Sequence, residues 1–185
     1  MATEQQVHDY YTDVKNPLFR YAEDCVAVTL LRMGWALENN RDANKHIDFI
    51  GTKAGRRVTF DAKYDRYIDT TDRIPFEETL DFDDGHHRQS WGWDIDLDVL
   101  AVTGASLSKL WLVRLQPVRE HVLDNRAHFD GGTPQRWRPM FPFTGLRRLP
   151  DGRTRPGCTA NGWAIPIAEL PDDAIAAIVP LVHVE

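Results

Sequence analysis

The residues of this chain best suited to chemistry are two carboxylates and an ammonium: Asp48, and Asp61 with Lys63 in a run of strand-forming residues. Val58, Phe60 and Ala62 alternate with Thr59, Asp61 and Lys63. The two-residue period of a strand therefore sends Asp61 and Lys63 to one face. Upstream, Ile47 and Phe49 alternate with His46, Asp48 and Ile50, and Lys53-Ala54-Gly55-Arg56 has the glycine and polarity of a hairpin turn. With Ala54 and Gly55 at the tip, pairing places Asp48 almost opposite Asp61. Neighbouring carboxylates repel by about 4 kcal/mol at 4 Å and an effective dielectric of 20. A divalent cation removes that penalty.

These groups need elements to hold them. Asn16 is a favoured N-cap, Pro17 suits a first helical position and Gly34 can take the left-handed conformation after a last turn, which predicts a helix over residues 17–33. Phe19, Ala22, Val26, Leu30 and Met33 form its apolar stripe. Glu23 lies about 40° from Phe19 at 100° per residue, on the edge of that stripe, while Asp24 points to solvent. A carboxylate at such an edge is ordinarily paired with a nearby arginine; beside Asp48, Asp61 and Lys63 it reads instead as a further ligand.

Elsewhere the pattern predicts a short helix over residues 4–14, a return segment rich in turn formers over 35–45, and an acidic insertion or lid over 65–98. Apolar runs at 99–103 and 110–115, separated by Gly-Ala-Ser-Leu-Ser-Lys, predict a second hairpin buried on both sides. Pro117 is expected to open a short helix to about residue 123. Residues 126–160 are dense in arginine, proline and glycine and read mostly as loop. Residues 162–167 read as an edge strand because of Pro166, and 171–179 as an amphipathic helix with Ile175, Ile178 and Val179 on one face.

With 185 residues, 42% hydrophobic and 27% charged, the chain suits one globular domain over 1–185 with its core at about 17–123. No apolar run approaches the roughly 20 residues that span a bilayer, and the first residues lack the pattern of a signal peptide. A cytoplasmic protein with no membrane partner is the expectation. Cys25 and Cys158 are far apart and read as reduced thiols rather than a disulfide or zinc site. The formal charge of −6 is unevenly spread. Residues 65–98 hold eleven acidic residues against three arginines, a balance of −8, whereas 126–155 hold seven arginines against two aspartates, a balance of +5. The basic stretch could meet phosphate while the acidic one repels it.

The order of helix, hairpin with Asp48 and Asp61-Ala62-Lys63, insertion, strand, strand and helix resembles the PD-(D/E)XK nuclease superfamily. Ile47-Asp48 matches the PD element with isoleucine in place of proline, Asp61-Ala62-Lys63 matches the (D/E)XK element, and Glu23 matches the first-helix acid of several branches. The resemblance covers residues 17–123 approximately. It implies an α/β fold with a restriction-endonuclease-like core, a helix followed by a mixed β-sheet flanked by helices, and an insertion after the D-x-K strand. It also implies metal-dependent hydrolysis of DNA phosphodiesters, most simply by an endonuclease, with RNA left open as a substrate. Oxygen ligands from Asp48, Asp61, the Ala62 carbonyl and Glu23 suit Mg²⁺ or Mn²⁺. In the roles that the resemblance implies, Lys63 orients or deprotonates the attacking water and offsets charge in the transition state.

Gln89 matches the glutamine that follows the lysine strand in some branches. Lys53, Arg56, Arg136, Arg138, Arg147 and Arg148 complete the expected nucleic-acid contacts, and a homodimer is the arrangement common among duplex-cutting members. His86 and His87 lack zinc spacing and read as loop residues. Trp91, Trp93, Trp137 and Trp163 could stack on unpaired bases, with core packing as the default for each. The competing reading is a catalytically inactive nuclease-fold protein that binds nucleic acid or a protein partner. A third is an unrelated α/β domain in which D-x-K is coincidence.

Overall fold

The structure, a computed structural model, describes residues 17–41, 46–65, 67–82, 85–127 and 158–184, with short strands at 136–137, 147–148 and 154–155. The expected helix over residues 4–14, Asn16 and Arg138 lie outside the described residues.

Helix α1 (Pro17–Arg32) stops where Gly34 takes φ +87° and the Gly34 and Trp35 amides bond back to the Leu31 and Leu30 carbonyls. The chain then forms a short edge strand, β1 (Ala36–Asn39), where turn formers alone were expected. Strands β2 (Phe49–Lys53) and β3 (Arg56–Tyr64) make the predicted hairpin, with Ala54 and Gly55 both at positive φ as a two-residue turn requires. The stretch expected to be an insertion or lid is inserted between β3 and its later sheet neighbour and is folded: a helical turn α2 (Ile68–Thr71), a long strand β4 (Arg73–Phe82), β5 (His87–Gln89) and a 3-10 turn at Trp91–Trp93. Strands β6 (Val99–Thr103) and β7 (Lys109–Arg114) form the second hairpin. Helix α3 (Leu115–Asp124) begins two residues before Pro117, which sits inside its first turn.

After the short strands β8 (Arg136–Trp137), β9 (Arg147–Arg148) and β10 (Thr154–Arg155) come β11 (Cys158–Pro166) and β12 (Ile175–Pro180). Two expectations fail here. β11 lies between β4 and β8 rather than at an edge, because Pro166 falls at its end, where the lost donor matters least. The segment read as an amphipathic helix is β12, paired with β7, since its burial alternates every second residue.

The main sheet has the order β1-β2-β3-β6-β7-β12, antiparallel except for β3 beside β6. It is a mixed sheet flanked by helices, as expected. Val99, Ala101, Leu110 and Leu112 face α1 with Cys25, Val26, Leu30 and Phe60. Leu100, Val102, Trp111 and Val113 face the other way, onto Ile74, Phe76 and Trp163 of a second sheet and onto Val118 and Val122 of α3. Covering both faces explains why β6 and β7 read as unbroken apolar runs. The second sheet has the order β5-β4-β11-β8. No described helix is long and apolar enough to cross a membrane.

Candidate active site

Phe60 and Ala62 of β3 pack on the α1 face, so strand alternation turns Asp61 and Lys63 to the opposite face, toward the second sheet. The pairing of Phe49 with Phe60 continues one step past the end of β2. Asp48 donates its amide to the Phe60 carbonyl at 2.8 Å, and its Oδ2 accepts the Ala62 amide, also at 2.8 Å. Asp48 thus stands opposite Asp61, as the hairpin spacing predicts.

Asp61 is 1% exposed, and Lys63 Nζ lies 2.8 Å from its Oδ2. That oxygen is buried with no donor aligned on it for a hydrogen bond. Burial pushes the Asp61 carboxyl up to about 8; the Lys63 ammonium pulls against the shift and the Asp48 charge adds to it. Burial also disfavours charged Lys63, but Asp61 and Asp48 outweigh it and hold the ammonium up to about 12. The Lys63 ammonium sits 5.9 Å from the centre of the Trp91 ring.

Glu23 reaches the cluster from α1. Its pKa is raised by burial and then by Asp48, against the pull of Arg41, Arg20 and Lys63. Arg41 is 3.6 Å and Arg20 3.7 Å from Glu23 Oε2, so the ion pair that ordinarily explains such a carboxylate is present together with its coupling to the cluster. Arg41 also holds Asp24 Oδ1 through two nitrogens, each at 2.9 Å, and lies over the Phe49 ring. Asp24 is therefore paired, not simply solvated.

Glu77 was not singled out by the sequence. It stands on β4, accepts a hydrogen bond from buried Ser90 next to Trp91, and its charge reaches Lys63. Opposite it, the β4–β11 pairing slips by one residue between Asn161 and Gly162. Such a bulge re-aims side chains: Glu77 goes to Ser90, while Glu78 pairs with Arg126. The alternation of buried Ile74 and Phe76 with Pro75 and Glu77 is the local signal that could have marked this strand.

Two of the other expected contacts lie apart from the cluster. Lys53 and Arg56 are five residues along the hairpin from Asp48 and Asp61, about 17 Å at 3.4 Å per residue. Lys53 donates to the Met33 carbonyl at 2.6 Å, at the end of α1. Gln89 is exposed on β5, and Arg136, Arg147 and Arg148 fall on the short strands β8 and β9. His87 pairs with Asp81 at 2.9 Å on the edge of the second sheet, rather than standing in a loop. Trp91 and Trp163 are core residues, while Trp93 is partly exposed.

Among the described residues no three His, Cys, Asp or Glu side chains form a ready metal cage. Two opposed carboxylates are a different donor set: hard oxygens, few in number, one of them buried. Mg²⁺ is commonly held by one or two carboxylates while it keeps several waters. The residues present fit such an ion.

No family model matches the chain, and no curated protein matches it. Among solved structures it is similar to a bacterial homing endonuclease, I-Ssp6803I, with 14% identity and a TM-score of 0.43 over 53% of this chain and 67% of that one.

Proposed function

We propose that the chain is a metal-dependent nuclease of the PD-(D/E)XK kind that hydrolyses phosphodiester bonds in DNA. The observation that carries this reading is the buried Asp61 carboxylate, opposite Asp48 and 2.8 Å from the Lys63 ammonium. Asp48, Asp61, the Ala62 carbonyl and Glu23 would hold Mg²⁺ or Mn²⁺. Bound there, the ion would supply a Lewis acid for a phosphate oxygen and acidify a water molecule. Asp61 and Asp48 hold the Lys63 ammonium up, which suits it to give hydrogen bonds. Its part is to orient the attacking water and to offset charge gathering on the phosphorus oxygens. Arg41 holds Glu23 and Asp24 midway along α1, and the Asp48 bond to the Ala62 amide fixes one carboxylate against the strand that carries the other.

The test is cleavage of plasmid, single-stranded and branched DNA, and of an RNA strand, with Mg²⁺, Mn²⁺ or EDTA. Asp61→Asn should fold and lose cleavage, because an amide lacks the charge to hold the ion. Full activity in that variant sinks the assignment. A wild-type protein that binds Mg²⁺ and nucleic acid but cuts nothing supports the inactive binder instead.

A further inference from the structure

Beside the carboxylate cluster, His46, Arg88, Gln89, Ser90, Trp93 and Asp94 line an open groove of about 270 Å³. His46 leads directly into Ile47 and Asp48. Ser90 binds Glu77, and the next residue, Trp91, lies near Lys63. The wall formed by the 3-10 turn is held firmly. Arg119, 6% exposed, donates to the carbonyls of Gly92 at 2.7 Å and Leu97 at 3.0 Å, and also to that of Asp94. Trp93 packs edge-to-face on Phe76, with ring centres 5.3 Å apart.

The lining decides what kind of ligand fits. Arg88 and Asp94 carry opposite charges, so the groove lacks the strong positive excess of a phosphate site. It offers a donor in Arg88, an acceptor in Asp94, both functions in the Gln89 amide, and an aromatic wall in Trp93. A nucleobase has the matching features: a flat π-face and an edge of mixed donors and acceptors. The volume is just below the roughly 300 Å³ at which drug-sized small-molecule sites begin. One base fits that space better than a base pair.

We infer that this groove receives one unpaired nucleobase of the strand cut at Asp48, Asp61 and Lys63, so that the substrate is single-stranded, frayed or flipped rather than fully paired. The inference rests on the nuclease reading for the identity of the strand.

Binding of labelled single-stranded and duplex oligonucleotides of one sequence to Asp61→Asn protein in EDTA, at several salt concentrations, tests it. Adding Trp93→Ala should weaken single-strand binding about tenfold. The salt slope should stay unchanged, since an indole neutralises no phosphate. Trp93→Phe should keep most of the affinity. Gln89→Ala, on an exposed strand that does not touch the core, should cost a few-fold and guards against a misfolded tryptophan variant. Equal binding of both oligonucleotides, unaltered by Trp93→Ala and Gln89→Ala, overturns the inference. Cleavage with the Asp61 present separates the two claims. If the protein cuts with Mg²⁺ and the groove variants cut and bind as well as wild type, the groove falls and the nuclease stands. Groove-dependent strand binding without cleavage by wild type leaves the reverse.

Discussion

In the six-stranded sheet, β2 and β3 are joined by two residues and β6 and β7 by five, whereas β4 and β11 of the four-stranded sheet are separated by residues 83–157. Both sheets reach the site. The first supplies Asp48, Asp61 and Lys63 from one hairpin. The second supplies Glu77 and, through the turn that follows β5, Ser90 and Trp91. Short closures cost little chain entropy and let local signals set the register. The long closure has no such guide, and its register rests on contacts made only in the finished fold. At Gly162 a Cβ would stand 2.0 Å from the Phe76 carbonyl oxygen and 2.9 Å from the Glu77 Cα. At Gly92 it would stand 2.4 Å from the Glu77 carbonyl oxygen. Two glycines thus allow the backbone at Phe76 and Glu77 to be gripped from both sides.

This difference separates lesions of chemistry from lesions of assembly. Lys63→Ala should lower kcat more than 100-fold, about 3 kcal/mol of barrier, with saturating metal, while strand binding stays near wild type. Normal turnover would return Lys63 to a surface role and leave the hairpin without its chemistry. Gly162→Ala should do the opposite. Its clash is with backbone rather than with the end of a flexible side chain, so about 2–3 kcal/mol of stability should be lost, read as a lower Tm. Activity should fall only as the folded fraction falls. An unchanged Tm would mean that the register of β4 against β11 is not the one described.

The same contrast explains what can be read from the residues. Helix α1 is punctuated by Pro17 and Gly34, and the hairpin by Ala54-Gly55. Strands β6 and β7 are marked by two apolar runs around a polar turn. Each signal lies within a few residues of the element it marks, and the opposition of Asp48 and Asp61 follows from one of them. The misreadings lie in the long-range pairings. Ile175, Ile178 and Val179 have helical spacing, yet Ile178 is 51% exposed and β12 slips against β7 between Ile175 and Ala177. An exposed isoleucine on an edge strand therefore imitates a helix face. In β4 the alternation breaks at the extra residue Glu78, and nothing near residue 77 announces a partner at residue 162. Glu77 becomes a neighbour of Lys63 only after that pairing is made.

The last expected effect concerns proton linkage in the metal-free protein. Unfolded, the Asp61 carboxyl titrates near 3.8; folded, burial raises it to about 8. Between those values the folded chain keeps a proton that the unfolded chain has released. The linked stability is therefore fully present below about pH 4 and is lost as pH rises through about 8. Glu23, raised mainly by burial, tilts the same way. Lys63 contributes no slope in this window, because both its ordinary value of 10.5 and its folded value of about 12 lie above it. The folded value already contains the pull of the Lys63 ammonium 2.8 Å away, so Tm should fall steadily as pH rises across this window. The measurement is the difference in Tm between wild type and Asp61→Asn in EDTA from pH 5 to 8, which cancels the titrations the two proteins share. Asp61→Asn should gain on wild type as pH rises, since its amide resembles the protonated acid at every pH. Adding Mg²⁺ should close that gap at pH 8 by favouring the ionised carboxyl of wild type alone. A difference that does not change with pH would mean that Asp61 is already ionised in the empty site, paired with Lys63 strongly enough to need no metal.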